Sequence, residues 1–173
     1  MNNIVIIGFM GVGKGTTTRE ISKRYNLMSI DTDDLIESME NRKIKTIFKD
    51  EGEEYFRELE KKVAKWLENS VKDTIISTGG GFYKVPNLKK IGKVILLDAS
   101  FDFIYDRITK SVDSKKKLEK RPLFNSYSDA KRLYETRLQD YKAIADTIID
   151  VEKRDLNLIT TEIYEKLLKN IIV

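Results

Sequence analysis

The residues most suited to chemistry stand near the start of the chain. An apolar run, Ile4-Val5-Ile6-Ile7, leads straight into Gly8-Phe9-Met10-Gly11-Val12-Gly13-Lys14-Gly15-Thr16. The spacing fits the phosphate-loop pattern G-x-x-x-x-G-K-[ST] except at its last place, where Gly15 stands. Glycines let successive backbone N–H groups converge on phosphate oxygens without a Cβ in the way. A helix that follows directs its positive end at the same anion. Lys14 then reaches the β- and γ-phosphates as a point charge. A plain Gly-rich turn between strand and helix would not need four glycines, a lysine and a preceding strand together. Gly11, Val12, Gly13, Lys14, Gly15 and Thr16 are therefore read as nucleotide-binding. The motif leaves the acceptor open.

Polar residues placed where apolar ones belong supply the rest. Phe56, Val63 and Leu67 form one stripe at helical spacing, and Glu60 falls in its middle. An inward carboxylate is costly unless paired, and Arg57 is three residues away, near enough to pair with it. A structural Arg–Glu pair on a helix edge explains this equally well. Arg137 lies on the same side as Tyr134 and Tyr141, in a stripe that also holds Leu138 and Ala145. An inward Arg suggests a carboxylate partner, whose geometry its fork matches; a snorkelling surface Arg is the alternative. Asp31-Thr32-Asp33-Asp34 ends a predicted strand. One aspartate could hold a metal, directly or through water, and another could accept a proton from a hydroxyl. Helix capping explains one of the three and leaves the others. Thr78-Gly79-Gly80-Gly81 follows another apolar strand and lets a ligand touch backbone. The run Lys115–Arg121 is strongly basic; most such runs are solvated faces, and its Arg121-Pro122 end is taken as the functional part.

These segments need elements to hold them. Predicted strands cover Asn3–Ile7, Leu27–Ile30, Thr74–Ser77, Val94–Leu97 and Thr147–Asp150. Predicted helices cover Gly15–Tyr25, Asp33–Met39, Ile44–Asp50, Glu51–Asn69, Val85–Ile91 with Pro86 in its first turn, Ser100 to about Ile108, Asp129–Ala145 and Leu156–Asn170. Ser111–Tyr127 has no clean period. The alternation means an α/β domain: a parallel sheet with helices on both faces, binding ligand at the carboxyl ends of its strands. Every candidate segment named above lies there.

Composition sets limits. The 173 residues suit one domain. There are no cysteines and no histidines, so thiolate metal sites are excluded and acid–base work falls to Asp, Glu, Lys or Tyr. No run has the length of a membrane span or a signal-peptide core; a cytoplasmic location is expected. A formal net charge of +4 suits an anion-handling protein. The basic residues are interleaved with nearly as many acidic ones, so no nucleic-acid partner is expected.

Together the motifs resemble those of shikimate kinases: Ile7 to Lys14, Asp31-Thr32-Asp33, Phe56-Arg57-Glu58-Leu59-Glu60, Ser77 to Gly81, and Lys120-Arg121-Pro122-Leu123, in order over nearly the whole chain. The resemblance implies a three-layer P-loop fold with five parallel strands in order 2-3-1-4-5, an acceptor-binding segment at about 33–61 and a mobile lid at about 111–127. It implies transfer of the ATP γ-phosphoryl group to the 3-hydroxyl of shikimate, in aromatic amino-acid biosynthesis, with Mg²⁺; a monomer is expected. By the same resemblance, Asp33, Lys14 and Arg121 would be catalytic. Asp33, Arg57, Gly79, Gly80, Gly81 and Arg137 would bind shikimate, with Glu60 orienting Arg57. Asp31 would act on the metal through water. Arg121 would close onto ATP, with Arg154 and Lys153 near the adenine. The departure is Gly15, where the family has a Ser or Thr ligand; Lys14-Gly15-Thr16 is similar to adenylate kinases. A nucleotide kinase, a gluconate kinase and a nucleotide-binding regulator without catalysis are the rival readings.

Overall fold

The computed structural model describes residues 3–110, 114, 118, 124 and 126–168. The proposed lid at 111–127 therefore lies mostly outside the described residues, and Arg121 lies entirely so.

Five parallel strands form one sheet: β1 (Asn3–Ile7), β2 (Met28–Asp31), β3 (Thr74–Ser77), β4 (Gly92–Asp98) and β5 (Thr147–Asp150), in spatial order β2-β3-β1-β4-β5. This is the order expected. β1 is buried along its whole length, which is why it reads as a continuous apolar run rather than an alternating one. Helices α1 (Lys14–Tyr25), α2 (Thr32–Glu40), α3 (Ile44–Asp50), α4 (Gly52–Ser70), α5 (Leu88–Ile91), α6 (Phe101–Thr109), α7 (Tyr127–Ile144) and α8 (Leu156–Ile163) complete the order among the described residues. Asn26 and Asn41, with φ of 52° and 50°, end α1 and α2 in the left-handed conformation asparagine tolerates.

Two elements differ from the sequence reading. Val85–Ile91 is not one helix. A 3₁₀ turn covers Phe82–Lys84, Val85 is extended (φ −64°, ψ 136°), and α5 starts only at Leu88. Pro86 is the cause, because its ring disfavours helical geometry in the residue before it. The closing helix ends at Ile163 and passes into a π-helical turn over Tyr164–Leu168.

The amphipathic stripe of α4 is as expected, and Glu60 is within it: Phe56, Leu59, Glu60, Val63, Ala64 and Leu67 are buried. No helix among the described residues is long and apolar enough to cross a membrane.

Candidate active site

The glycine loop leaves the carboxyl end of β1 and turns into α1. Gly11 and Gly13, at φ 87° and 112°, need the left-handed region that only glycine occupies without strain. No side chain caps α1, and its first turn carries no acid. Its leading N–H groups therefore face outward as a ready anion site. The Lys14 ammonium donates to the carbonyls of Gly8 (2.8 Å) and Phe9 (3.1 Å), and only 9% of the residue is exposed. These bonds keep the charge inside the loop's concavity. Phe9 fixes the loop to the core through Tyr134, Phe124 and Phe101, with ring centroids 5.3, 6.0 and 6.4 Å away.

The three aspartates after β2 divide their work. Asp31 is the N-cap of α2: its Oδ1 accepts from the backbone N–H of Asp33 (3.0 Å) and Asp34 (3.4 Å). Capping is thus the role of Asp31, while its Oδ2 faces the loop, 3.6 Å from where a Cβ on Gly15 would stand. Thr32, fully buried, accepts from the Gly79 N–H at 3.0 Å and so ties α2 to the triple glycine. Asp33 faces the site. Its Oδ1 is sealed from solvent and has no hydrogen-bond partner among the described residues. Burial pushes its carboxyl up to about 7; the charge of Asp31 adds to the rise, and Lys14 opposes it.

A Cβ on Gly79 would overlap Asp33 Oδ1, and one on Gly81 would overlap the Arg57 guanidinium. The glycines are what allow both charged groups to press against this backbone. Thr78 stitches the segment to β1, its hydroxyl donating to the Ile6 carbonyl at 2.9 Å; Ser77 beside it is buried.

Arg57 and Glu60 pair at 2.6 Å, with Glu60 only 2% exposed. The second Glu60 oxygen is buried and has no hydrogen-bond partner among the described residues. Burial holds the Glu60 carboxyl above its ordinary value, although the Arg57 hydrogen bond pulls the other way. Arg57 also donates to Glu53 through Nε (3.1 Å) and Nη2 (2.7 Å). Arg137 approaches from α7 and donates to the Gly80 carbonyl at 3.0 Å. Burial outweighs the fields of both arginines at Glu60, and the Arg57 hydrogen bond is the main cause that lowers Glu53; Arg137 acts in the lowering direction on each, which puts the two arginines in one electrostatic cluster. Asp33, Arg57, Gly79, Gly80, Gly81 and Arg137 thus converge, beside the loop that carries Lys14.

Arg154 stands just beyond β5, where its guanidinium donates to the Asp150 carbonyl (2.8 Å) and pairs with Glu162 (2.6 Å). Sequence reasoning overlooked Arg107. From the last turn of α6 it donates to the Gly11 carbonyl at 2.9 Å and lies against Gly13. The one available signal was a cation in the helix that follows the strand beside β1. Among the described residues no three acidic side chains gather as a metal site. Asp31 Oδ2 facing residue 15 suits an ion such as Mg²⁺, which takes few carboxylates and keeps its waters.

The site can therefore hold polyphosphate at the loop, place a hydroxyl on Asp33 and hold an anion at the arginines. The sequence model described as "SKI: Shikimate kinase" matches residues 10–168. A curated shikimate kinase of Helicobacter hepaticus is 39% identical over 91% of this chain and 92% of its own. The crystal structure of shikimate kinase from Aquifex aeolicus superposes with a TM-score of 0.77 at 32% identity, covering 98% of each chain. That of Acinetobacter baumannii shikimate kinase in complex with shikimate superposes at 0.85 with 27% identity, covering 100% of this chain and 96% of the other.

Proposed function

The chain belongs to the shikimate kinase family, and from that premise we propose how its own residues carry out the reaction. The enzyme phosphorylates shikimate with ATP, in aromatic amino-acid biosynthesis. In our reading the accepting group is the 3-hydroxyl. Arg57 and Arg137 bind the shikimate carboxylate, and Glu60 holds Arg57 in place. Gly79, Gly80 and Gly81 form the floor against which the acceptor lies. Asp33 accepts the proton of the attacking hydroxyl, whose oxygen forms the new bond to the γ-phosphorus as the bond to the ADP oxygen breaks. A base whose carboxyl sits near neutrality is well matched to that step. Lys14, the loop N–H groups and Arg121 bind the phosphates and meet the charge that spreads over the transferred group. Mg²⁺ bound with ATP would supply further charge neutralisation, and Asp31 would hold it through water, since Gly15 offers no hydroxyl. Residues 33–61 serve as the acceptor segment and 111–127 as the lid, in a cytoplasmic monomer.

The observation that carries this reading is the buried Asp33 Oδ1, without a hydrogen-bond partner among the described residues and pressed on Gly79 within the fields of Lys14 and Glu60. A buried acceptor without a donor costs about 1–3 kcal/mol and calls for one; a substrate hydroxyl provides it. The test is ADP release from MgATP with shikimate, AMP, gluconate or no acceptor. Turnover is expected with shikimate alone. Equal turnover with AMP, or none with any acceptor, would overturn the assignment.

A further inference from the structure

Arg137 and Tyr141 stand four residues apart on α7 and so share one face, a turn apart. Both donate to the same atom, the carbonyl oxygen of Gly80: Arg137 Nη1 at 3.0 Å and the Tyr141 hydroxyl at 2.5 Å. A carbonyl oxygen has two lone pairs, and here one is taken by each.

The two donors differ in freedom. Tyr141 is 2% exposed, and its ring packs edge-on against Tyr83 with centroids 4.7 Å apart. The Tyr83 hydroxyl in turn donates to Asp140, one residue before Tyr141, at 3.1 Å. Helix α7 therefore grips the 3₁₀ turn after the triple glycine at two points. Burial pushes the Tyr141 hydroxyl up to about 12, so it stays a neutral donor at any working pH. Arg137 is only partly buried and hangs on a long, flexible stem, whose ordering costs rotamer freedom. A carbonyl fixed in advance by Tyr141 gives one end of that guanidinium a permanent anchor. The remaining N–H groups are then aimed before substrate arrives, which is preorganisation.

We propose that Tyr141 is a positioning residue for acceptor binding: by pinning the Gly80 carbonyl it aims Arg137 at the carboxylate of the acceptor. This rests on the reading of Arg137 as a carboxylate ligand. Tyr141 meets neither the acceptor nor ATP; it acts through Gly80 and Arg137.

The experiment compares Tyr141→Phe, Arg137→Ala and the double variant, reading shikimate Kd by calorimetry alongside kcat and both KM values. Phenylalanine keeps the ring against Tyr83 and removes only the donor. Tyr141→Phe should raise the Kd and KM for shikimate about fivefold, the size of one lost hydrogen bond. The KM for ATP and kcat should stay within about twofold. Added to Arg137→Ala, it should change the shikimate Kd by less than about twofold, because the residue it acts through is gone. An unchanged Kd in Tyr141→Phe, an equal effect in the Arg137→Ala background, or a parallel rise in the KM for ATP would each overturn the proposal. Failure of Arg137→Ala itself to weaken shikimate would instead overturn the ligand reading beneath it. If Tyr141→Phe melts too low to assay, Asp140→Ala carries the test, since from an exposed position it removes the acceptor that holds the Tyr83 hydroxyl and so loosens the ring against which Tyr141 packs. An unchanged shikimate KM there would also overturn the proposal.

Discussion

Arg57→Ala separates two tasks given to one side chain: binding the acceptor carboxylate and neutralising Glu60. Glu60 has one oxygen 2.6 Å from Arg57 Nη1 and the other buried with no partner among the described residues. Breaking a buried pair from one side costs about 3–5 kcal/mol, because the remaining charge is uncompensated. Two features reduce that figure here. The Arg57 side chain is 22% exposed, and Glu60, already raised by burial, can take up a proton. We expect a loss of about 2–3 kcal/mol of unfolding free energy at pH 8. A carboxyl raised in the folded state gives stability that is present below its unfolded value, about 4.3, and lost as pH rises through the folded value. Arg57→Ala raises Glu60 further, so its deficit should be largest at pH 8 and shrink toward pH 5. Shikimate affinity should fall about ten- to a hundredfold, the size of a lost charge-assisted contact. Adding Glu60→Gln removes the stranded charge. It should recover about 1–2 kcal/mol at pH 8, the cost of an unpaired buried group, and none of the affinity. Urea unfolding at both pH values and shikimate calorimetry provide the two readouts. Equal stability of the single and double variants at pH 8 would refute the buried-charge reasoning. An intact shikimate Kd with a raised KM for ATP would refute the acceptor assignment.

Three further outcomes follow from the same geometry. Asp33→Asn should lower kcat by about 10²–10⁴ while shikimate still binds in calorimetry, because an amide can hold the hydroxyl but cannot take its proton; near-native kcat would reduce Asp33 to a positioning role. Gly81→Ala places a methyl where the Arg57 guanidinium lies, so the KM for shikimate should rise about tenfold or more with the KM for ATP unchanged; parallel changes in both would mean a general disturbance of the fold. Gly15→Ser adds a hydroxyl near Asp31 Oδ2, where the nearest obstacle is the movable end of Arg19 at 3.3 Å from the new Cβ; it should lower the Mg²⁺ concentration at half-maximal activity, and an unchanged midpoint with intact activity would show that residue 15 does not face the metal.

Much of this molecule was legible one residue at a time. The phosphate loop was visible because its chemistry demands glycines at fixed spacing from a lysine, within a few residues of chain. The sheet order followed from the resemblance, and the alternation of elements requires a parallel sheet of this class. Glu60 stood out because a carboxylate inside an apolar stripe breaks a local rule, and the structure pairs it with the neighbour that was in reach, Arg57. Arg137 stood out for the same reason.

What the chain alone left open were choices among equivalent groups. Asp31 and Asp33 are the same residue type, two positions apart. Only the start of α2 at Thr32 makes the first a cap and turns the second into the site. Tyr141 looked like core, and by burial it is; its hydroxyl gains a role only because a carbonyl 61 residues away folds against it. Arg107 was missed because its contact with the loop spans 96 residues of chain. Sequence periodicity reports which face of an element is apolar. It carries no record of which polar atom meets which across the fold. The sequence by itself determined the loop, the order of the elements and the polar residues that break the apolar pattern. Only the tertiary structure decided which oxygen is satisfied and which is not, because that depends on packing between segments distant in the chain.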